Sequence, residues 1–177
     1  VLKKKILFLG GSSFLAHCWS KQVEQNSKIY LGVHNKLPES DNYINIKFNF
    51  DSEKDVISKL SPLNLDLIVN CVGYTNVENC EINFDQALKI NSDYASLASR
   101  ISKKLNIKFV HISTDHLFDG KTSDYDEISQ TFPLNNYAKT KLEGEKQVLK
   151  HNDNALIIRT NFFGWGPSHK KSFSDFI

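Results

Sequence analysis

Residues 6–16 read Ile6-Leu7-Phe8-Leu9-Gly10-Gly11-Ser12-Ser13-Phe14-Leu15-Ala16, and the fold turns on how they are read. Four consecutive apolar residues suit a strand buried on both faces of a parallel sheet, where no alternation is needed because neither face meets water. Two glycines end that strand at a tight turn. From Phe14 to about Gln25 the pattern becomes helical, so the segment is a strand-turn-helix unit. Glycine relieves the backbone at such a turn, and the helix after it offers unpaired N–H groups and a positive dipole end to an anion such as a pyrophosphate. The turn is a degenerate Gly-x-x-Gly-x-x-Gly sequence in which Ser13 takes the place of the second glycine and Ala16 that of the third. As a dinucleotide turn it nominates Gly10, Ser12, Ser13, Phe14 and Leu15 as cofactor-binding residues. The plain alternative is an ordinary strand-to-helix connection.

Outward from this unit the same rhythm repeats. Ile29 to Val33 is a second strand and Tyr43 to Phe50 a third. In the third, Ile44, Ile46, Phe48 and Phe50 alternate with Tyr43, Asn45, Lys47 and Asn49, which predicts an apolar face on the first set and a place near a sheet edge. Asp51-Ser52 can cap a short helix that Pro62 stops. Leu65 to Val72 is a fourth strand, and a long helix follows from about Phe84 to Leu105, with Ala87, Ile90, Tyr94, Ala98, Ile101 and Leu105 spaced to share a face. Lys108 to Ser113 is a fifth strand, a helix runs from Tyr137 to about Lys150, and Ala155 to Ile158 is a sixth strand. Strands alternating with helices imply parallel pairing through right-handed crossovers. The fold class is therefore α/β, a doubly wound, Rossmann-like sheet with helices on both faces, in one domain over residues 1–177.

Composition narrows the function classes. Lys+Arg 22 against Asp+Glu 20 is near balance, and the lysines at 3–5, 103–104 and 170–171 are short scattered runs, so no nucleic-acid partner is expected. Cys18, Cys71 and Cys80 read as free thiols in a reducing compartment, and the six histidines show no metal-ligand spacing. No stretch resembles a signal peptide or could span a bilayer, so a cytoplasmic protein with no membrane partner is expected.

In a doubly wound sheet the ligand crevice lies outside the carboxyl ends of the strands, where strand order reverses. The second strand ends in Val33-His34-Asn35-Lys36, with no carboxylate to accept from the ribose 2′-hydroxyl of NAD, so His34, Asn35 and Lys36 favour NADP. Asp51 is placed either to accept from an adenine amino group or to cap the next helix. Cys71, Val72 and Gly73 end the fourth strand with small groups that let main chain approach the cofactor. Ser113 and Thr114 end the fifth, pointing in alternate directions, so one hydroxyl faces the site. Tyr137 and Lys141, four apart at the start of a helix, share a face; a phenol beside an ammonium is a proton donor beside a group that lowers its pKa.

Taken together, Asn70-Cys-Val-Gly-Tyr-Thr-Asn-Val-Glu-Asn-Cys-Glu81, Ile90-Asn91, Phe109-Val-His-Ile-Ser-Thr-Asp115 with Phe118-Asp-Gly120, Asn136-Tyr-Ala-Lys-Thr-Lys-Leu-Glu-Gly-Glu145 and Ile158-Arg159-Thr160 resemble the extended short-chain dehydrogenase/reductase family. Within it the chain is similar to the dTDP-4-dehydrorhamnose reductase branch and related nucleotide-sugar reductases and epimerases. The resemblance implies an NAD(P)-dependent reductase of a nucleotide-linked 4-keto sugar. In it Tyr137 gives the proton, Lys141 binds the nicotinamide ribose and lowers the tyrosine pKa, and Thr114 hydrogen-bonds the reacting oxygen. It also resembles a non-catalytic regulatory subunit of methionine adenosyltransferase, and nucleotide-sugar epimerases. His116 stands where the branch usually shows tyrosine. Family members continue into a C-terminal region that grips the sugar nucleotide, and this chain stops at Ile177. Phe162, Phe163, Trp165, Phe173 and Phe176 form an apolar tail expected to be covered by that region, to drive self-association, or to fold back as core.

Overall fold

A computed structural model of the chain describes residues 2–34 and 42–164. Strand β1 (Lys4–Leu9) passes through the glycine turn into α1 (Phe14–Val23), followed by β2 (Ser27–Val33), β3 (Tyr43–Lys47) and α2 (Glu53–Leu60). Beyond β4 (Leu67–Asn70) come α3 (Val77–Ile82), α4 (Phe84–Leu88) and α5 (Tyr94–Lys104), then β5 (Lys108–Ser113), α6 (Asn136–His151) and β6 (Leu156–Arg159). The strands pair in parallel in the order β3-β2-β1-β4-β5-β6. The chain starts at the centre, winds to one edge, returns across β1 and winds to the other. Strand order reverses between β1 and β4, where Leu9 lies level with Asn70 and its carbonyl accepts from the Cys71 N–H at 3.0 Å. This is the doubly wound sheet the alternation predicts.

The continuous apolar run of β1 feeds two cores. Leu7 and Leu9 pack with Leu60, Ile68, Ile101, Phe109 and Val148 beneath α2, α5 and α6, whereas Phe8 packs with Ala16, Leu31, Val69 and Val110 beneath α1. Burying each such large side chain stabilises the fold by about 1.5–3 kcal/mol.

Three expectations are corrected. β3 is an edge strand, as its pattern predicts, and Ile46, Phe48 and Phe50 share one core face as expected, but Tyr43 is buried on the opposite face and Ile44 is 43% exposed. The cause is register. Tyr43 lies beside Ile29 and shares its face toward the α1 core, while Ile44 lies beyond the cover on the other side. The cap of α2 is Ser52, whose Oγ accepts from the Asp55 N–H at 3.3 Å, which leaves Asp51 outside the helix. The long helix is interrupted by a π turn at Lys89–Asp93. Its extra residue rotates the buried face onto Asn91, Ser92 and Ala95, and Ile90 and Tyr94 turn toward a cavity instead of the core.

Candidate functional site

The glycine turn is built from two close approaches. Gly10 has φ +74°, and a Cβ there would sit 2.9 Å from both the carbonyl carbon and the oxygen of Cys71; one on Gly11 would sit 2.7 Å from the Leu31 Cβ. The two residues that replace glycines have local jobs. Ser13 is the N-cap of α1, its Oγ accepting from the Ala16 N–H at 3.2 Å, and Ala16 is fully buried against β1. Accepting that bond leaves the Ser13 hydroxyl proton free to donate. The first amides of α1, at Phe14 and Leu15, precede any intrahelical acceptor and face the turn as anion donors.

A cavity of about 410 Å³ opens beside the turn. Gly10, Ser12, Val33, His34, Asp51 and Val72 line it, with Phe48, Phe50, Ile90 and Tyr94 as its apolar walls. Asn35 and Lys36 lie outside the described residues. Phe14 and Leu15 do not line the cavity by side chain: Phe14 is buried and stacks on Phe162 with ring centroids 5.8 Å apart, and Leu15 packs on the α1 core. Cys71 and Gly73 also lie off it, toward α6. Burial pushes the Cys71 thiol up to about 12, with nearby Lys141 acting in the opposite sense. Among the described residues His34 is the last after β2, and it is exposed, with no acid beside it at that strand end.

The Tyr137 helix is fixed at its start by two side chains. Asn135 caps it by accepting from the Ala138 N–H at 2.8 Å, and the Glu81 carboxylate accepts from the Asn136 N–H at 2.7 Å, where helix dipole and charge agree. The Tyr137 phenol has the Thr114 side chain as a polar neighbour, and the His116 ring meets it edge-on at 5.9 Å. Thr114 is therefore the hydroxyl that faces the site. Ser113, on the opposite side of the strand, has a buried Oγ with no partner among the described residues. Lys141 is 3% exposed and its Nζ donates to the Ile112 carbonyl at 2.6 Å. Burial lowers its pKa from 10.5 to about 8, while Glu145 and Cys71 act in the raising sense. The tyrosine departs from expectation. Burial raises its pKa, and the group that opposes this is Thr114, whereas the Lys141 ammonium is engaged with a main-chain carbonyl.

Behind these groups lies a layer that the spacing did not reveal. Asn91, in the π turn, is buried; its Oδ1 accepts from the Tyr74 N–H at 2.8 Å and its Nδ2 donates to the Thr140 Oγ1 at 3.0 Å. It ties the end of β4 to α6. α6 can approach because residue 144 is glycine: a Cβ there would lie 2.3 Å from the Asn91 carbonyl oxygen. Asn70 Oδ1 accepts from the Val72 N–H at 3.2 Å, so its Nδ2 must donate to the buried His111 Nδ1 at 3.0 Å. His111 is then neutral with its proton on Nε2. Burial and the Lys141 charge hold its pKa well below the ordinary histidine value. These bonds tie the end of β4 to β5 and to α6, the elements from which Thr114, Tyr137 and Lys141 come.

Among the described residues no cluster of histidine, cysteine and acidic side chains could hold a metal, and no helix is long and apolar enough to cross a membrane. Cys18, Cys71 and Cys80 are free, with Cys80 fully buried and the other two partly so. Of the aromatic tail, Phe162 is partly covered by Phe14 and Phe163 is 79% exposed; Trp165, Phe173 and Phe176 lie outside the described residues.

Comparison with known proteins adds the following. The model of the RmlD substrate binding domain family matches residues 4–176. The probable low-salt glycan biosynthesis reductase Agl14 of Haloferax volcanii is 33% identical over 140 residues, which is 78% of this chain and 46% of that protein. The dTDP-4-dehydrorhamnose reductase of Sinorhizobium fredii is 34% identical over 117 residues, 64% of this chain and 40% of that protein. A hypothetical dTDP-4-dehydrorhamnose reductase from Sulfolobus tokodaii, solved by crystallography, superposes with a TM-score of 0.80 at 29% identity, over 92% of this chain and 58% of that one. The chain spans about half the length of the relatives it matches.

Proposed function

Because the chain belongs to the RmlD substrate binding domain family, we propose that it forms the dinucleotide-binding part of a reductase acting on the keto group of a nucleotide-linked sugar of the dTDP-4-dehydrorhamnose kind. The observation that carries this reading is Tyr137 beside Thr114, with Lys141 of the same helix reaching the Ile112 carbonyl of β5, in a fold whose Gly10 turn leaves no room for a side chain. That space at Gly10, the capped helix start behind it and the aromatic-walled cavity fit a dinucleotide.

Gly10, Ser12, Ser13 and the first amides of α1 at Phe14 and Leu15 would hold the pyrophosphate. His34 and Asp51 would face the adenosine end, and the main chain at Cys71, Val72 and Gly73 the nicotinamide end, with Lys141 toward its ribose. The absence of an acid at the described end of β2 favours NADP over NAD. When bound, the reduced cofactor supplies the hydride.

The chain's own groups handle the proton. Tyr137 gives its phenolic proton to the carbonyl oxygen, which becomes the product hydroxyl, and is reprotonated from solvent. Burial keeps the phenol protonated at neutral pH, as a donor must be, and Thr114 orients it. Lys141, at about 8, is charged at pH 7 and has two N–H groups beyond the one given to Ile112. Those two N–H groups are what it offers to the nicotinamide ribose. In this reading residues 1–177 are the cofactor domain, and the sugar nucleotide is gripped mainly by a C-terminal region outside them. Free cysteines suit reducing, cytoplasmic surroundings.

The test is a titration with NADPH and NADH, followed in the same cuvette by the dTDP-linked 4-keto sugar while nicotinamide absorbance is followed. Oxidation on adding sugar is the expected result, and Tyr137→Phe should keep nucleotide binding while losing about a hundredfold or more in turnover. Unchanged turnover in that variant would sink the assignment. Binding with no oxidation would favour a non-catalytic, regulatory role.

A further inference from the structure

Resting on the dinucleotide reading above, we propose that Lys89 and Tyr94 are positioning residues that clamp one oxygen of Asp51 so that the other reads the exocyclic amino group of adenine. Asp51 lies on the cavity rim. Its Oδ1 receives both the Lys89 ammonium at 2.8 Å and the Tyr94 hydroxyl at 3.3 Å, and no hydrogen bond from a described residue falls on Oδ2. Its main chain is also fixed, the N–H donating to Asn49 Oδ1 at 3.0 Å. A carboxylate held through one oxygen presents the lone pairs of the other in a set direction, and acceptor-only chemistry selects a donor.

The clamp depends on the π turn. In an α-helix, residues five apart lie about 140° apart around the axis and cannot serve one partner together. Here the Tyr94 N–H bonds to the Lys89 carbonyl, five residues back, which stacks the two side chains on one side. The Lys89 Nζ lies 5.7 Å over the Tyr94 ring, and Phe50 stacks on that ring at 5.1 Å and 26°. The tyrosine is held between a cation and an aromatic wall of the cavity. The bonded ammonium also holds the Asp51 carboxyl below the usual range, so it stays an acceptor throughout the neutral region.

Adenine differs at this edge from hypoxanthine, which carries an oxo group where adenine carries an amine. A clamped carboxylate therefore favours adenine and repels hypoxanthine. Binding constants of the chain for NADPH and for its hypoxanthine analogue would be measured by tryptophan fluorescence, with circular dichroism to confirm folding. The wild type should prefer NADPH about tenfold, the weight of one charge-assisted hydrogen bond at a partly exposed site. Lys89→Met and Tyr94→Phe should weaken NADPH but not the analogue, bringing the ratio toward one, and Lys89→Arg should restore it. An unchanged ratio in Lys89→Met would overturn the inference while leaving the dinucleotide reading intact. So would a ratio of one in the wild type. Binding of neither nucleotide would overturn that reading and this inference with it.

Discussion

Replacing Lys141 by methionine should make the protein more stable while removing its function. The ammonium is 3% exposed and its pKa falls from 10.5 to about 8 on folding, chiefly through burial. A lowered lysine pKa means that the unfolded chain binds the proton more tightly, so below pH 8 the folded state carries a penalty. A shift of this size corresponds to about 3 kcal/mol at pH 7. Methionine keeps the length and apolar body of the side chain and carries no charge, but it gives up the hydrogen bond to the Ile112 carbonyl, a loss of about 1 kcal/mol. The net gain is about 2 kcal/mol at neutral pH. The sign over pH follows from the same pair of values. Wild-type stability rises between pH 8 and 10.5 as the unfolded chain alone holds the proton, and the variant lacks this rise. The difference between the two should shrink by about 2 kcal/mol from pH 7 to pH 9.5. Urea unfolding at pH 7, 8 and 9.5, read by tryptophan fluorescence, measures it. A variant less stable at every pH, or a difference independent of pH, would refute the reasoning.

Gly144→Ala should destabilise the protein by about 2 kcal/mol, although alanine is the better helix former by about 1 kcal/mol, because its Cβ would meet the Asn91 carbonyl oxygen at 2.3 Å; thermal unfolding decides the sign. Arg159→Met should cost about 3 kcal/mol in urea unfolding, since the Glu145 carboxylate, nearly buried, would lose a guanidinium bonded at 2.8 and 3.0 Å. A Glu145→Leu/Arg159→Met double variant should recover most of that loss, and failure to do so would show that the pair matters for more than charge balance.

The parts of this protein that sequence reveals are those governed by periods of two and of four. The apolar runs of β1, β4 and β5 announce strands covered on both sides, and Tyr137 with Lys141 announces a shared helix face because nothing interrupts α6 between them. Where period fails, reading fails with it. The π turn adds one residue to a helix whose sequence gives no sign of it. Tyr94 therefore reads as core yet holds Asp51, and Asn91, which the helical spacing does not single out, joins two elements. The faces of β3 depend on which residue of β2 lies beside Tyr43, a matter of register that no local pattern encodes. The direction of the Tyr137 shift is equally hidden: proximity in sequence suggests Lys141 as its partner, while burial raises the phenol and the Lys141 ammonium goes to the Ile112 carbonyl of β5.

The orientation of Asn70 makes His111 an unusual histidine. Because a main-chain N–H fixes which end of the Asn70 amide faces the ring, the imidazole has one tautomer and no route to the other without breaking a bond in the strand ends. Its nitrogen resonances should therefore be those of a pure Nε2–H form and should stay put across pH 5 to 8, a stationary pair in a spectrum where solvent-facing rings move. That spectroscopic stillness would report directly that β4 and β5 remain in register beneath the tyrosine.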